Sequence, residues 1–506
     1  MNNWDMETEV LVIGYGLAGA VAAVVAHDAG SQVLMLEKGK YPGGCSILAG
    51  GGIKCVADVP GAIDYFTALS GGRVEPSLIT AFAEAMSGNE AFVRRLAATD
   101  GAEIKAVYKV GDEPIAVYPF LGRESLYEVR VTKVPGFSGF PWVIASRLNG
   151  VNMFKMAMDN VEARKLPLML STAATRLVTN AQGEVIGAVA QSQEGERRIR
   201  ARRSVILACG GFEQSPWLKH QYLQGTPFHS MAPLTHTGDG ILMAQKVGAA
   251  LWHMWHVHGS YGFKFPQYPI AFRHAFGGRR LAKRPMPWIV VDRLGKRYMN
   301  EYPPAPQDTS HRPMEVFDPD LPGYPRIPSY IVFDEAGRRR GPIAQPLAIA
   351  DYLYRWSNDN SQEVERGWII RRDNLTELAE VIRTTPENEG KMNPQNLEDT
   401  VARWNEAVVV GMDALGRLPG TMMPIKAPPF YAVPVWPVIT NTQGGPVHNE
   451  KQQVLDPLGQ PIPHLYAAGE LGSFFGHLYE LGGNLGECFA SGRIAGEAVA
   501  AEELLP

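Results

Sequence analysis

Unbroken apolar runs, rather than alternating ones, mark the start of the chain. Residues 10–13 (VLVI) and 33–36 (VLML) are apolar at every position, the pattern of strands buried on both faces. Between them, residues 18–29 are rich in alanine and predict a closely packed helix, so the stretch reads as a strand–helix–strand unit with parallel strands. Two later apolar runs also end in glycine, RSVILACGGF at 203–212 and GQPIPHLYAAGELG at 459–472. The segment between these two runs differs. From about residue 262 it is rich in Pro, Arg, Trp and Tyr, and its helices are amphipathic, as in NLEDTVARWNEAVVVG. The pattern predicts an α/β fold in which residues 1–261 and 432–506 form one discontinuous domain and residues 262–431 an inserted α+β domain.

Composition narrows the class. The chain has 506 residues, 45% hydrophobic and 20% charged, an ordinary globular balance. A net charge of −4 gives no general field for nucleic acid or an anionic membrane. The basic runs RHAFGGRRLAKRP (273–285) and RRRGP (338–342) are expected to be solvated faces or internal ion pairs. Four cysteines lie too far apart for a C-x-x-C pair, and no run is long and apolar enough for a bilayer. The acidic start is expected to belong to the folded protein rather than to a secretory signal. The expectation is a soluble, cytoplasmic protein with no nucleic-acid partner and no membrane span. His253, His256 and His258 lie close together in WHMWHVHGS; without a second ligand cluster they predict an aromatic wall, and no metal site is expected.

The first turn carries the chemistry. Gly14, Gly16 and Gly19, with Leu17 and Ala18 between them, follow a strand and open a helix, and Glu37 ends the next strand. Such glycines allow a tight turn and close backbone approach to a pyrophosphate, the helix N-terminus favours the anion, and the acidic residue accepts from a ribose. A second glycine loop follows, with Lys38, Gly43, Gly44, Cys45, Ser46, Gly51 and Gly52. Its place just after the acidic residue suits a longer cofactor than NAD, namely FAD held without a covalent bond, with Cys45 and Ser46 as loop residues rather than nucleophiles. No second fingerprint follows, so direct reduction by NAD(P)H is not expected, and electrons pass to another acceptor: oxygen, a quinone or an electron carrier.

VLVIGYGLAGAVAA, LEKGKYPGGCSILAGGG, VILACGGF, THTGDGI, GKRYMNE, NTQGG and IPHLYAAGELGSFFGHLYELGGNLGECFASGRIAGE occur in this order. In them the chain resembles the flavoproteins that include fumarate reductase and the 3-ketosteroid dehydrogenases. The resemblance implies a Rossmann-type FAD-binding domain with a catalytic cap. It assigns Ala173, Ala208, Gly210, Gly211, Asp239 and Gly469 to the cofactor, Glu470 to its ribityl chain, and Gly483, Asn484, Leu485 and Gly486 to the isoalloxazine. Charge gained by the ring on reduction would then face a helix N-terminus, with glycines in the loop sparing the ring a Cβ clash.

Within that family, fumarate reductases hold a dicarboxylate through an arginine just before LGGN and a histidine just before T-x-G-G. Here Glu480 and Asn441 stand at those places, and Glu301 is followed by Tyr302, Pro303 and Pro304 instead of an early arginine. A carboxylate at Glu480 is expected to repel a second carboxylate. Ketosteroid dehydrogenases place a tyrosine at the start of the glycine loop, and Tyr479 matches it. The resemblance therefore implies dehydrogenation next to a ring ketone, of a 3-ketosteroid or a smaller alicyclic ketone. Tyr479 would polarise the carbonyl, Tyr118 and Tyr302 would accept the proton, and hydride would pass to the flavin. The reverse reaction, reduction of an activated alkene, is the first alternative; a carrier without its own substrate is the second.

Overall fold

The computed structural model describes residues 4–144, 148–275, 285–303, 306–349 and 352–505. The basic run at 273–285 lies largely outside them, as does Pro304. No helix among the described residues is long and apolar enough to cross a membrane.

The fold is mixed α/β in two compact units. One comprises Met1–Tyr222, Ala232–Val257 and Asn441–Pro506; the other comprises Leu223–Met231 and His258–Thr440. The first unit is built on the apolar runs. Strand β1 (Met6–Ile13), helix α1 (Leu17–Asp28) and strand β2 (Val33–Leu36) form the opening unit. β1 starts four residues before its apolar run because Met6, Glu7 and Thr8 already pair with a neighbouring strand. Next come strand β3 (Ile53–Val56), helix α2 (Val59–Ser70), strand β4 (Leu168–Met169), strand β5 (Gly195–Leu207), strand β6 (Pro461–Ala467) and helix α3 (Gly483–Ala500).

The central sheet runs β6–β5–β1–β2–β4 with every adjacent pair parallel. Its register puts Ile13 beside both Leu36 and Leu207, and Leu207 beside Ala467. Gly14, Glu37, Ala208 and Ala468 therefore leave the sheet side by side at the carboxyl edge, where ligands of parallel sheets bind. Strands from opposite ends of the chain come together there.

Helix α3 explains its own small residues. A Cβ on Gly492 would lie 2.9 Å from Ala18 O, and one on Gly496 would lie 2.8 Å from Ala22 O, with Val21 and Val25 as close. The two alanine- and glycine-rich helices are thus in backbone contact, which brings the start of α3 to the edge of the sheet.

The second unit is a seven-stranded sheet in which Phe430–Thr442 and Ser329–Asp334 pair antiparallel. Helices Leu375–Thr384 and Pro394–Val410 contribute to a cluster on it through Leu378, Ile382, Leu397, Val401 and Trp404. The GKRYMNE motif serves this unit. Glu301, fully buried, is paired with Arg297 at 2.7 Å and Arg417 at 3.3 Å and accepts from Val290 N.

Candidate active site

A cavity opens at the carboxyl edge of the sheet. Gly14, Gly16, Leu17 and Ala18 form its floor with Glu37, Lys38, Gly44, Cys45 and Ser46, and it is closed by Ala208, Gly210, Asp239 and Glu470. Gly14 needs its glycine twice over: φ is +110°, and a Cβ would sit 2.3 Å from Ala208 O. A Cβ on Gly19 would meet Gly14 O at 2.0 Å, so that glycine lets α1 start tight against the turn.

Polar groups around the cavity are held firmly. Glu37 Oε2 accepts from Tyr15 N at 2.9 Å and Oε1 from Gly39 N at 2.6 Å, which fixes the carboxylate at the end of β2. Ser46 Oγ accepts from Leu17 N at the start of α1. Lys38 Nζ donates to Asp239 Oδ2 at 2.5 Å and to Thr237 Oγ1. Gly43, Gly51, Gly52, Ala173, Gly211 and Gly469 are not among the lining residues; a Cβ on Gly211 would meet Thr442 Oγ1 and Glu470 Oε1, one on Gly469 Ala18 and Cys488, and one on Gly52 the Glu128 carboxylate.

Sequence reasoning missed part of the wall. Thr235, His236, Cys209 and Cys488 also line the cavity, and Glu213 stands behind them. Thr442 N donates to both Glu213 Oε1 (2.9 Å) and Glu470 Oε1 (3.1 Å). His236 Nδ1 lies 3.3 Å from Glu213 Oε2. Burial and Glu213 push the Glu470 carboxyl well up, whereas its bonds to Glu470 and His236 overcome burial and hold Glu213 below its usual range. The Glu470 proton is thus directed at Glu213, and its oxygen lone pairs are left to accept. The donor atoms of Cys45, Glu213, His236 and Glu470 all lie within 4.8 Å of one another, but three of the four line the cofactor cavity and a cation there would compete with the cofactor. Burial pushes the thiols of Cys45 and Cys209 up, Cys209 to about 12, so neither is an activated nucleophile.

The second part of the site is the glycine loop before α3. Gly482, at φ +83°, leads into the helix. A Cβ on Gly483 would strike the Phe475 ring at 2.3 Å, and one on Gly486 would strike Lys54 O at 2.7 Å. These two glycines are required by protein packing. Tyr479 is buried, its ring edge-on to Phe475, and its hydroxyl accepts from Asn484 N at 3.4 Å, over the first turn of α3. Burial raises its pKa, Asn484 N–H lowers it and Glu480 raises it, so the hydroxyl stays protonated.

Glu480 does not behave as expected. It is fully buried and ion-paired: Lys54 Nζ pairs with Oε1 at 3.0 Å, Tyr65 of α2 donates to Oε2 at 2.5 Å, and Val117 N donates to both oxygens. Lys54 lies 3.5 Å from Glu128, which pairs in turn with Arg130. The Glu480 charge is thus paired inside the protein rather than left free to face a substrate. Instead it ties the Tyr479 loop to the segment bearing Tyr118, whose N–H donates to Tyr65 Oη at 3.1 Å. Tyr118 is buried and stacked on Phe120. Tyr302 lies in the second unit, within its aromatic core. His253 and His256 bond the carbonyls of Ser473 and Phe475 through Nδ1, and His258 belongs to the other unit.

A parallel sheet with a glycine-floored cavity at its carboxyl edge, an acidic residue ending the second strand and a helix N-terminus opening into that cavity defines a dinucleotide-binding protein. The chain belongs to the FAD binding domain family, whose model matches residues 9–485. It is 28% identical to a 3-oxosteroid 1-dehydrogenase of Mycobacterium tuberculosis, over 97% of each chain. It is 25% identical to a probable fumarate reductase of Shewanella frigidimarina, over 98% of this chain and 75% of that one. Its fold is similar to that of a 3-ketosteroid Δ1-dehydrogenase from Sterolibacterium denitrificans, with a TM-score of 0.77 at 21% identity, over 98% and 99% of the two chains. The protein is an FAD-dependent oxidoreductase of the family that holds the ketosteroid dehydrogenases and the fumarate reductases.

The cavity fits FAD: the fixed Glu37 carboxylate would accept from an adenosine ribose, and Glu470 would accept from a ribityl chain. Cys45, Cys209 and Cys488, the cysteines of the lining, are all held as thiols by burial. Acid precipitation of the purified yellow protein is therefore expected to release FAD into the supernatant. Colour left in the pellet would contradict non-covalent binding, and FMN in the supernatant would contradict an adenine half at Glu37.

Proposed function

We propose that the protein dehydrogenates a C–C bond next to a ring ketone, in a 3-ketosteroid or a smaller alicyclic ketone. In this account a discontinuous Rossmann-type domain holds FAD, and residues 262–431 act as an inserted catalytic domain. The observation that carries the proposal is the Tyr479 hydroxyl over the first turn of α3, accepting from Asn484 N–H. A hydroxyl that accepts one hydrogen bond is polarised toward donating another, and here it stays protonated.

Tyr479 would donate to the substrate carbonyl and stabilise negative charge as the adjacent C–H loses its proton. Tyr118, tethered through Tyr65 and Glu480 to the same loop, and Tyr302 are the proposed proton acceptors. FAD, when bound, supplies the hydride acceptor. The relatives named for 3-oxosteroid dehydrogenation support the substrate class. So does the want of a cation at two places where fumarate reductases carry one: Glu480 is itself ion-paired and Asn441 is neutral.

The test is product analysis. Incubation with androst-4-ene-3,17-dione, smaller cyclic ketones and a dye acceptor is expected to give a product two hydrogens lighter with new conjugated absorbance. Dye reduction with none of these ketones, alongside oxidation of the reduced protein by enoates, would contradict the proposal.

A further inference from the structure

Helix α3 carries one buried carboxyl that neither cofactor binding nor the ketone chemistry uses. Glu487 follows Gly486 directly and is fully buried. At about 1.5 Å of rise per residue, its Cα lies within roughly 6 Å, along the axis, of Gly483, where the charge-gathering edge of the flavin is assigned. Its Oε2 accepts from Ser473 Oγ at 2.7 Å and its Oε1 from Phe474 N at 2.9 Å.

The ionisable groups that face it are Glu470 after β6, Tyr479 in the glycine loop and Cys488 on its own helix. None of these is a cation, and among the described residues no Lys or Arg pairs with it. Behind residues 472–475, His448 Nε2 bonds Gly472 O at 2.8 Å, His253 Nδ1 bonds Ser473 O at 2.9 Å and His256 Nδ1 bonds Phe475 O at 2.7 Å. Burial holds His448 low and His253 down to about 4, so these two are neutral donors that bring no positive charge to the carboxyl.

We propose that Glu487 is the proton-linked group of the cofactor site, taking up a proton from solvent when two electrons enter the flavin, so that a neutral carboxyl stands beside the reduced ring. Two electrons and one proton convert the oxidised flavin to its reduced anion, with the proton at N5. Negative charge placed at the start of α3 would share one buried helix turn with Glu487, where like charges interact strongly, and the second proton goes to its carboxylate. Burial already pushes this carboxyl up to about 8, against the pull of its two hydrogen bonds. Below that pH the group is protonated in both redox states and adds nothing; above it, ionised in the oxidised protein, it adds one proton per reduction. The inference rests on the flavin edge lying at the start of α3 and needs no ketone.

The experiment is a photoreduction titration of the holoenzyme against reference dyes, from about pH 7 to 9.5. Each proton taken up with two electrons shifts the equilibrium tenfold per pH unit, about 30 mV. The wild-type slope is expected to double above about pH 8. Glu487→Gln is expected to keep the one-proton slope throughout. Ser473→Ala, which removes a bond that favours the carboxylate, is expected to move the break to higher pH. Equal slopes for wild type and Glu487→Gln would overturn the inference. If Glu487→Gln fails to hold FAD, proton uptake by the wild-type holoenzyme decides: in weak buffer with a pH dye at about pH 9, two protons per flavin support it and one overturns it.

Discussion

Replacing Tyr479 by Phe is expected to slow flavin reduction by a saturated ketone about 10²- to 10³-fold, the usual cost of losing one donor to a developing oxyanion. The fold and FAD content are expected to stay, because the ring keeps its edge contact with Phe475 and its burial. The 3.4 Å bond from Asn484 N is long, and its loss costs little. Substrate binding weakens far less than the rate, since a neutral ground-state carbonyl gains only about 1 kcal/mol from one hydrogen bond. Single-turnover bleaching at saturating ketone separates the two effects. A variant that bleaches at the wild-type rate would reduce Tyr479 to a wall of the pocket.

The second large effect falls next door. Glu480→Ala is expected to destabilise the first unit by roughly 3–5 kcal/mol, because it leaves Lys54 charged and buried with one partner fewer. It also removes the acceptor for Tyr65 and for Val117 N. The loss is read as a lower urea midpoint and, since the loop leads into α3, as lower FAD content. Glu480→Gln keeps the shape but not the charge, and is expected to lose stability in the same direction. Adding Lys54→Met to Glu480→Gln removes both charges of the pair and is expected to recover much of the loss. Wild-type stability in either single variant would contradict a buried pair at this place.

Glu480 also shows where the sequence stops being legible. Its place before the glycine loop is local and readable, but its partners are not: Tyr65 lies 415 residues away, and no periodicity records such a pairing. The charge looked available to a substrate only because Lys54 was invisible beside it. By contrast, Gly14 to Gly19 and Glu37 were legible because turn, helix start and strand end all fall within one short unit whose apolar runs announce its geometry. The cavity wall divides in the same way. Its floor comes from that unit, whereas His236 and Glu213 arrive from a distant segment and meet Glu470 only through the register of β5 against β6. The glycines of the last loop were legible as necessary, but their packing was not: Phe475 and Lys54 fill the space that a Cβ would take. Tyr118 and Tyr302 carried no local signal beyond their side-chain type.

The most direct measurement is anaerobic mixing of the oxidised holoenzyme with saturated 3-ketosteroids and smaller alicyclic ketones, followed by flavin absorbance. The account predicts bleaching by at least one saturated ketone, with one equivalent of unsaturated ketone formed per flavin. No bleaching by any of them, together with reoxidation of the reduced protein by an enoate, would contradict it.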